Sequence, residues 1–266
     1  MIQTSRHGPV TCYKMGREQG GQVFYWCAAY LVDGLLIDSG CAHTAPELLG
    51  ALRHSGVRRV VNTHSHEDHI GANALLAAEL GVELLAPAAS LDYIAGNAPP
   101  IFHYQELLWG KAPPSLPSPL GDTVQTPDYR FSVIPSPGHS EDSVVLWEPA
   151  QGWAFVGDLW LVPRPKTSRD FENNRRALAS LSRLRDLGPR TLFTGLGDVV
   201  DHGTAALDQT IAWLEEQYDV VARLTAQGLE PAEIVQRLYG GESEFHEFTG
   251  GQFCYENFVR SLLKGP

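Results

Sequence analysis

The feature that most constrains this chain is the run Val60-Val61-Asn62-Thr63-His64-Ser65-His66-Glu67-Asp68-His69-Ile70-Gly71. Residues 57–62 are rich in β-branched and apolar side chains and read as a strand, whereas residues 70–80 read as a helix. Three histidines and two acids therefore occupy the turn between a strand and a helix. Imidazole nitrogens and carboxylate oxygens are the donors that a borderline cation such as zinc accepts. Four such side chains, His64, His66, Asp68 and His69, converge on a small volume without help from distant chain. A solvated polar loop is the plain alternative, and so dense a cluster of histidine argues against it.

Around this run the chain alternates. Residues 10–15 and 24–32 look like strands, with Asp33-Gly34 a hairpin turn into residues 35–38. A helix capped by Thr44, with Pro46 in its first turn, leads on to the strand at 57–62, and another strand, 82–86, follows the next helix. Such alternation suits sheets covered by helices on their outer faces. Between residues 87 and 127 the prolines Pro99, Pro100, Pro113, Pro114, Pro117 and Pro119 break the pattern around one short helix at 104–109, which reads as an insertion.

Residues 129–134 alternate like a half-buried strand and end at Pro135-Ser136-Pro137-Gly138-His139. Prolines and glycine fix that loop, so a histidine on it needs little further ordering to bind a metal. Residues 143–147 and 153–156 read as two strands of a second meander, with Gly157-Asp158 at the end of the latter. A carboxylate at a strand end can bridge two cations or orient a bound water, and a plain turn aspartate is the alternative. Residues 171–187 form an amphipathic helix with Leu178, Leu181, Leu184 and Leu187 on one side, and residues 191–195 a last strand. After Gly203 the chain is helical, at 204–227, from 230 to 238 and at 252–263. The aromatics Phe245, Phe248, Phe253, Tyr255 and Phe258 suit packing against the sheets or against a second subunit, which leaves a homodimer open.

The string His64-x-His66-x-Asp68-His69 resembles the signature of the metallo-β-lactamase-fold hydrolases, a superfamily that includes the glyoxalase II type. Pro137-Gly138-His139-Ser140 resembles that family's next ligand motif, Val156-Gly157-Asp158 its bridging aspartate, and Leu36-Ile37-Asp38-Ser39-Gly40 the early loop approaching the metals. The resemblance covers residues 13–203. It implies an α/β fold, a four-layer αβ/βα sandwich spanning residues 1–203, with the insertion at 87–127 and a C-terminal helical extension, residues 204–266, packed on it. It also implies one metal position held by His64, His66 and His139, a second held by Asp68 and His69, and Asp158 shared between them. Asp38 and Glu67 would support those ligands from behind. In this family insertions shape the substrate pocket, so Phe102, His103, Tyr104 and Trp109 become candidates for an apolar wall, with a self-packed surface loop the other reading.

One departure matters. The family usually places a final histidine between two glycines after the last strand, and this chain has Gly195-Leu196-Gly197. Leu196 cannot bind metal. Either one ion binds, or a weaker second ion, or another side chain substitutes: His202 is the nearest candidate, with Asp198 and His246 as others. The expected chemistry is hydrolysis of a small ester, thioester, lactone or related substrate. Zinc, as one or two ions, lowers the pKa of bound water to about 7, with iron or manganese as substitutes. Asp68 or Asp158 would then accept the water proton. Two readings stand beside it: a mononuclear iron oxygenase of the persulfide dioxygenase type, which the depleted second position would allow, and a non-catalytic protein with a degenerate site.

Composition sets limits. With 43% apolar and 19% charged residues in a chain of 266, a large core is available. A formal net charge of -11 with no strong Lys/Arg cluster disfavours nucleic acid as a partner, although a local basic pocket stays open. No basic region followed by a long apolar run opens the chain, and no stretch approaches transmembrane length, so a membrane is not expected as a partner. Cys12, Cys27, Cys41 and Cys254 lie far apart with no C-x-x-C pair. That fits free thiols and a cytoplasmic location.

Overall fold

The computed structural model describes residues 1–265. The first half opens with strands β1 (Ile2–His7), β2 (Val10–Met15), the small hairpin β3 (Glu18–Gln19) and β4 (Gln22–Val23), then β5 (Cys27–Val32) and β6 (Leu35–Ile37). Helix α1 (Ala45–Leu52) leads to β7 (Arg59–Val61). The short α2 (Glu67–Ile70) and α3 (Asn73–Leu80) then lead to β8 (Glu83–Ala86), and α4 (His103–Leu108) precedes β9 (Ser118–Pro119). The second half supplies β10 (Thr123–Gln125), β11 (Arg130–Pro135), β12 (Val144–Glu148), β13 (Trp153–Gly157), β14 (Ser168–Arg169), α5 (Asn174–Asp186), β15 (Thr191–Thr194) and β16 (Val199–Asp201). It closes with α6 (Gly203–Ala226), α7 (Pro231–Tyr239), α8 (Phe245–Thr249), β17 (Phe253–Cys254) and α9 (Tyr255–Leu263).

These strands make two large sheets, ordered β1-β2-β5-β6-β7-β8-β9 and β10-β11-β12-β13-β15-β16. In both, an antiparallel meander passes into parallel pairs, β6 with β7 and β13 with β15. Parallel neighbours require a crossover, and α1 and α5 provide it on the outer faces. Strand β5 shows how the layers arise. Cys27, Ala29 and Leu31 point to the outer core under α1 and α3, while Ala28, Tyr30 and Val32 point to the core between the sheets. There they meet Phe131, Leu146, Phe155 and Phe193 from the second sheet, whose other face, Val145, Ala154, Val156 and Leu192, packs on the helices. The result is a four-layer αβ/βα sandwich.

The C-terminal helices share the last of these cores. Ile234 and Val235 of α7 and Phe258, Val259 and Leu262 of α9 are buried together with Leu181 and Leu184 of α5. A further tie is the two-residue ribbon in which β14 pairs with β17, matching Arg169 to Phe253. Helix α5 begins at Asn174 instead of 171, because the Asn173 side chain caps it by accepting the Arg175 and Arg176 amides at 3.0 and 3.1 Å. Phe171 and Glu172, expected to be helical, thereby stay outside the helix and beside the site.

Candidate metal centre

The histidines and carboxylates of the expected ligand motifs stand at the ends of strands on one rim of the sandwich. β7 delivers His64, His66, Asp68 and His69, β6 delivers Asp38, the turn between β11 and β12 delivers His139, and β13 delivers Asp158. The His64 Nε2 and His139 Nε2 atoms lie 3.0 and 2.9 Å from His66 Nδ1, and His139 Nε2 lies 3.6 Å from an Asp158 oxygen. On the other side of Asp158, His69 Nε2 is 3.2 Å from its second oxygen and 3.9 Å from Asp68. Two groups, His64–His66–His139 and His64–His69–Asp158, each place their ligand atoms within 4.8 Å of one another.

The donor set suits a divalent cation. Three buried atoms of these side chains, Asp68 Oδ1, His69 Nε2 and Asp158 Oδ1, have no hydrogen-bond partner among the described residues, the last two lying 3.2 Å apart. Buried polar atoms are ordinarily satisfied, so orphans on three neighbouring side chains, two of them in a group whose ligand atoms lie within 4.8 Å of one another, fit a cation that would satisfy them. Burial pushes the His64 and His66 imidazoles well below the ordinary value, which keeps both neutral and able to coordinate. Burial opposes charge on His69 as well, but Asp38, Asp158 and Asp68 outweigh it and raise its pKa; at His139, Glu172 and Asp158 do the same. Asp68 is raised to about 6 by burial, while Asp158, despite its burial, is held well below the usual carboxylate range by His69 and His139.

Behind the ligands stand groups that fix their rings. Asp38 takes a hydrogen bond from His69 Nδ1 at 2.8 Å and is itself tied to the Thr63 amide and hydroxyl at 2.7 and 2.9 Å. Thr63 Oγ1 also lies 3.1 Å from His64 Nδ1, and Glu172 Oε1 lies 3.4 Å from His139 Nδ1. Such partners select the tautomer that leaves the other ring nitrogen free for metal. Glu67 turns away from the centre and accepts from Tyr93 Oη at 2.6 Å and Gln105 Nε2 at 3.2 Å, bracing the insertion.

The expected replacements for a final histidine do not reach this rim. Strand β16 runs antiparallel to β15 and pairs Asp201 with Thr191. It thus carries His202 to the opposite end of the sheet, where it is exposed at the head of α6. His202 is therefore corrected from ligand to helix-terminal residue. Asp198 is ion-paired with Lys14 at 2.8 Å, and His246 is exposed on α8. At the usual position Leu196 is half-buried beside Gly195, where a Cβ would collide with the Asp158 carboxylate and the His69 ring.

A cavity of about 1020 Å³ opens on the centre through His139 and Asp158. Of the expected wall residues, Tyr104 and Trp109 are buried and line it. Phe102 is 48% exposed and His103 is exposed, and neither is part of the wall. The wall also includes residues for which the sequence suggests no such role, among them Trp160, Leu214, Tyr239, Phe248 and the buried Arg169. Arg169 carries no local signal, because its place depends on the distant pairing of β14 with β17, and Glu172 is hidden by a leucine spacing that suggests a helix from 171.

The chain belongs to the metallo-beta-lactamase superfamily, whose family model matches residues 27–196, more than half of its length. It is similar to a hydroxyacylglutathione hydrolase of Erythrobacter litoralis, 29% identical over 138 residues, 52% of this chain and 47% of that protein. It is also similar to the probable metallo-hydrolase YqjP of Bacillus subtilis, 25% identical over 259 residues, 79% of each chain. Against the first three curated relatives it matches, the chain spans about half to three-fifths of their length. Among solved structures, a metallo-beta-lactamase family protein from Thermus thermophilus superposes with a TM-score of 0.67 at 18% identity. That match covers 95% of this chain and 92% of the other, and it shows the shared fold.

Proposed function

We propose that this protein is a zinc-dependent hydrolase acting on a small ester or thioester, with lactones as related substrates. The observation that carries the reading is the convergence of three imidazole nitrogens within about 3 Å steps, with Asp158 beside them, at the mouth of a largely apolar cavity. His64, His66, His139 and Asp158 would hold one ion, and Asp68, His69 and Asp158 would hold a second more weakly, since Leu196 offers no donor. Zinc bound there supplies an acidified water and polarises a carbonyl oxygen. The chain's own contribution is placement. Asp38, Thr63 and Glu172 fix the imidazoles, Asp68, whose Oδ1 has no hydrogen-bond partner, would accept a proton, and Tyr104 and Trp109 line one wall of the cavity with apolar surface.

Similarity to a hydroxyacylglutathione hydrolase and to a probable metallo-hydrolase supports this chemistry and favours the thioester. All four cysteines are free and buried, which fits the cytoplasmic location proposed for the protein, and no helix among the described residues is long and apolar enough to cross a membrane. The test pairs elemental analysis of the purified protein with hydrolysis of a thioester and ester panel. Zinc at one to two ions per chain and turnover abolished in His66→Ala are expected. Iron as the bound metal, with oxygen uptake on a persulfide and no thioester cleavage, would replace the hydrolase by an oxygenase.

A further inference from the structure

The cavity at the metal centre is larger than a short acyl group needs. Its volume of about 1020 Å³ stands at the upper end of the roughly 300–1,000 Å³ that hold drug-sized ligands. An acetyl group would leave most of that space to water, and water against apolar walls is disfavoured. Leu159, Trp160, Leu181 and Leu214 line its buried part. Phe24, Phe245 and Phe248 line it as well, yet they are 67%, 46% and 48% exposed. The cavity thus runs from solvent-exposed rings to the core between α5 and α6. Exposed aromatics that share one cavity mark a ligand site in a way that scattered ones do not.

The polar groups along this path single out no charged ligand. Thr210 Oγ1 accepts from Trp160 Nε1 at 2.8 Å, and Asn174 Nδ2 donates to Ser168 Oγ at 2.8 Å. Arg169 has the carboxylates of Asp68, Glu172 and Glu67 around it. At the exposed edge Arg164 and Lys166 are matched by Glu242 and Glu244, two charges of each sign. What remains unmatched is apolar surface. Much of it is this chain's own addition to the shared centre: Leu214, Phe245 and Phe248 lie beyond residue 196, where the match to the superfamily ends, and Phe24 precedes residue 27, where it begins.

We propose that this cavity holds an uncharged alkyl chain of medium length, joined to the scissile carbonyl or to its leaving group, so that the protein cleaves medium-chain esters or thioesters in preference to those short on both sides. Water added across the acyl–sulfur bond of such a thioester gives the free acid and the thiol. This preference rests on the hydrolase reading. The seat for the chain does not, and the experiment separates them.

Calorimetric titration of the zinc-loaded protein with butanol, hexanol, octanol and decanol measures the seat without turnover. Affinity should rise about two- to fourfold for each added carbon, the upper figure being ~0.8 kcal/mol per buried methylene. Leu214→Trp, which fills the buried end, should weaken decanol at least tenfold more than butanol. Affinity that ignores chain length, or that rises equally in both proteins, overturns the proposal. Turnover is then followed along two series, acetyl to decanoyl thioesters of N-acetylcysteamine and acetyl thioesters of ethanethiol to decanethiol. The series in which kcat/KM climbs identifies the side of the bond that carries the chain, and L214W should cut that climb tenfold or more. Two flat series overturn the preference. Chain-dependent alkanol binding without cleavage of any thioester would leave the seat standing and sink the hydrolase. If L214W does not fold, Phe248→Ser, at a half-exposed position, must reduce the gain in affinity from butanol to decanol, and an unchanged gain overturns the proposal.

Discussion

At the scale of single residues, the centre depends on side chains that never touch the metal position. Asp38 sits at φ 60°, a left-handed conformation that aspartate and asparagine tolerate better than other side chains, and from there its carboxylate reaches His69 and Thr63 together. Asp38→Asn keeps that backbone and removes the charge that holds the His69 ring. Metal affinity at the Asp68–His69–Asp158 position should fall about 10- to 100-fold, read by competition with a chromophoric chelator. A second expectation concerns acid. Metal must displace any proton on its ligands, and the carboxylates around His69 and His139 raise both pKa values above the ordinary histidine range in the metal-free protein. Protons therefore compete at higher pH than at an isolated histidine. Affinity should rise with pH until both rings are neutral and fall as pH drops, whereas a flat profile between about pH 6 and 8 would show that neither imidazole is a ligand. Leu196 is the converse case: Leu196→His puts a nitrogen donor where the superfamily usually has one, and elemental analysis should show zinc per chain moving toward two.

At the scale of elements, what was legible follows from how local the signal is. His64 to His69 read as a turn dense in donor side chains because donors and flanking strand and helix lie within one short run, and the hairpin at Asp33-Gly34 is legible from its dipeptide, with φ 49° and 80°. Strand β1 was not, because it is an edge strand with only Ile2 partly covered, so it shows no alternation to read. The ribbon of β14 and β17 is two residues wide and joins positions more than eighty apart, so nothing near Arg169 announces it. Glu172 is hidden by another cause, since the leucine spacing suggests a helix from 171 and only the Asn173 cap moves its start. The end of β15 carries a testable requirement. Gly195 donates to the Gly157 carbonyl at 2.8 Å and passes so close to Asp158 and His69 that Gly195→Ala must push one of them aside. Zinc per chain should drop in that variant while the circular dichroism spectrum stays that of the parent.

At the scale of the whole molecule, the helical extension and the sandwich share one core, so they should not melt apart. Phe258 of α9 is fully buried against α5, α7 and the outer face of the second sheet. Phe258→Ala should cost about 3–5 kcal/mol and lower a single unfolding transition, whereas two separated transitions would mean that the extension folds by itself. Metal acts on the same cooperative unit. The ligand atoms lie on separate strand ends from both sheets, a set that exists only when the sandwich is folded, so an ion bound there favours the native state alone. With free zinc about 1,000-fold above its dissociation constant the gain is about 4 kcal/mol. For a chain of this size that corresponds to a midpoint roughly 10 °C higher than after chelation. Scanning calorimetry at neutral pH, with zinc and then with EDTA, measures the difference directly, and His139→Ala should abolish most of it, because His139 ties the second sheet to the histidines of the first. A chelator that leaves the midpoint where it was would show that no ion joins the two sheets.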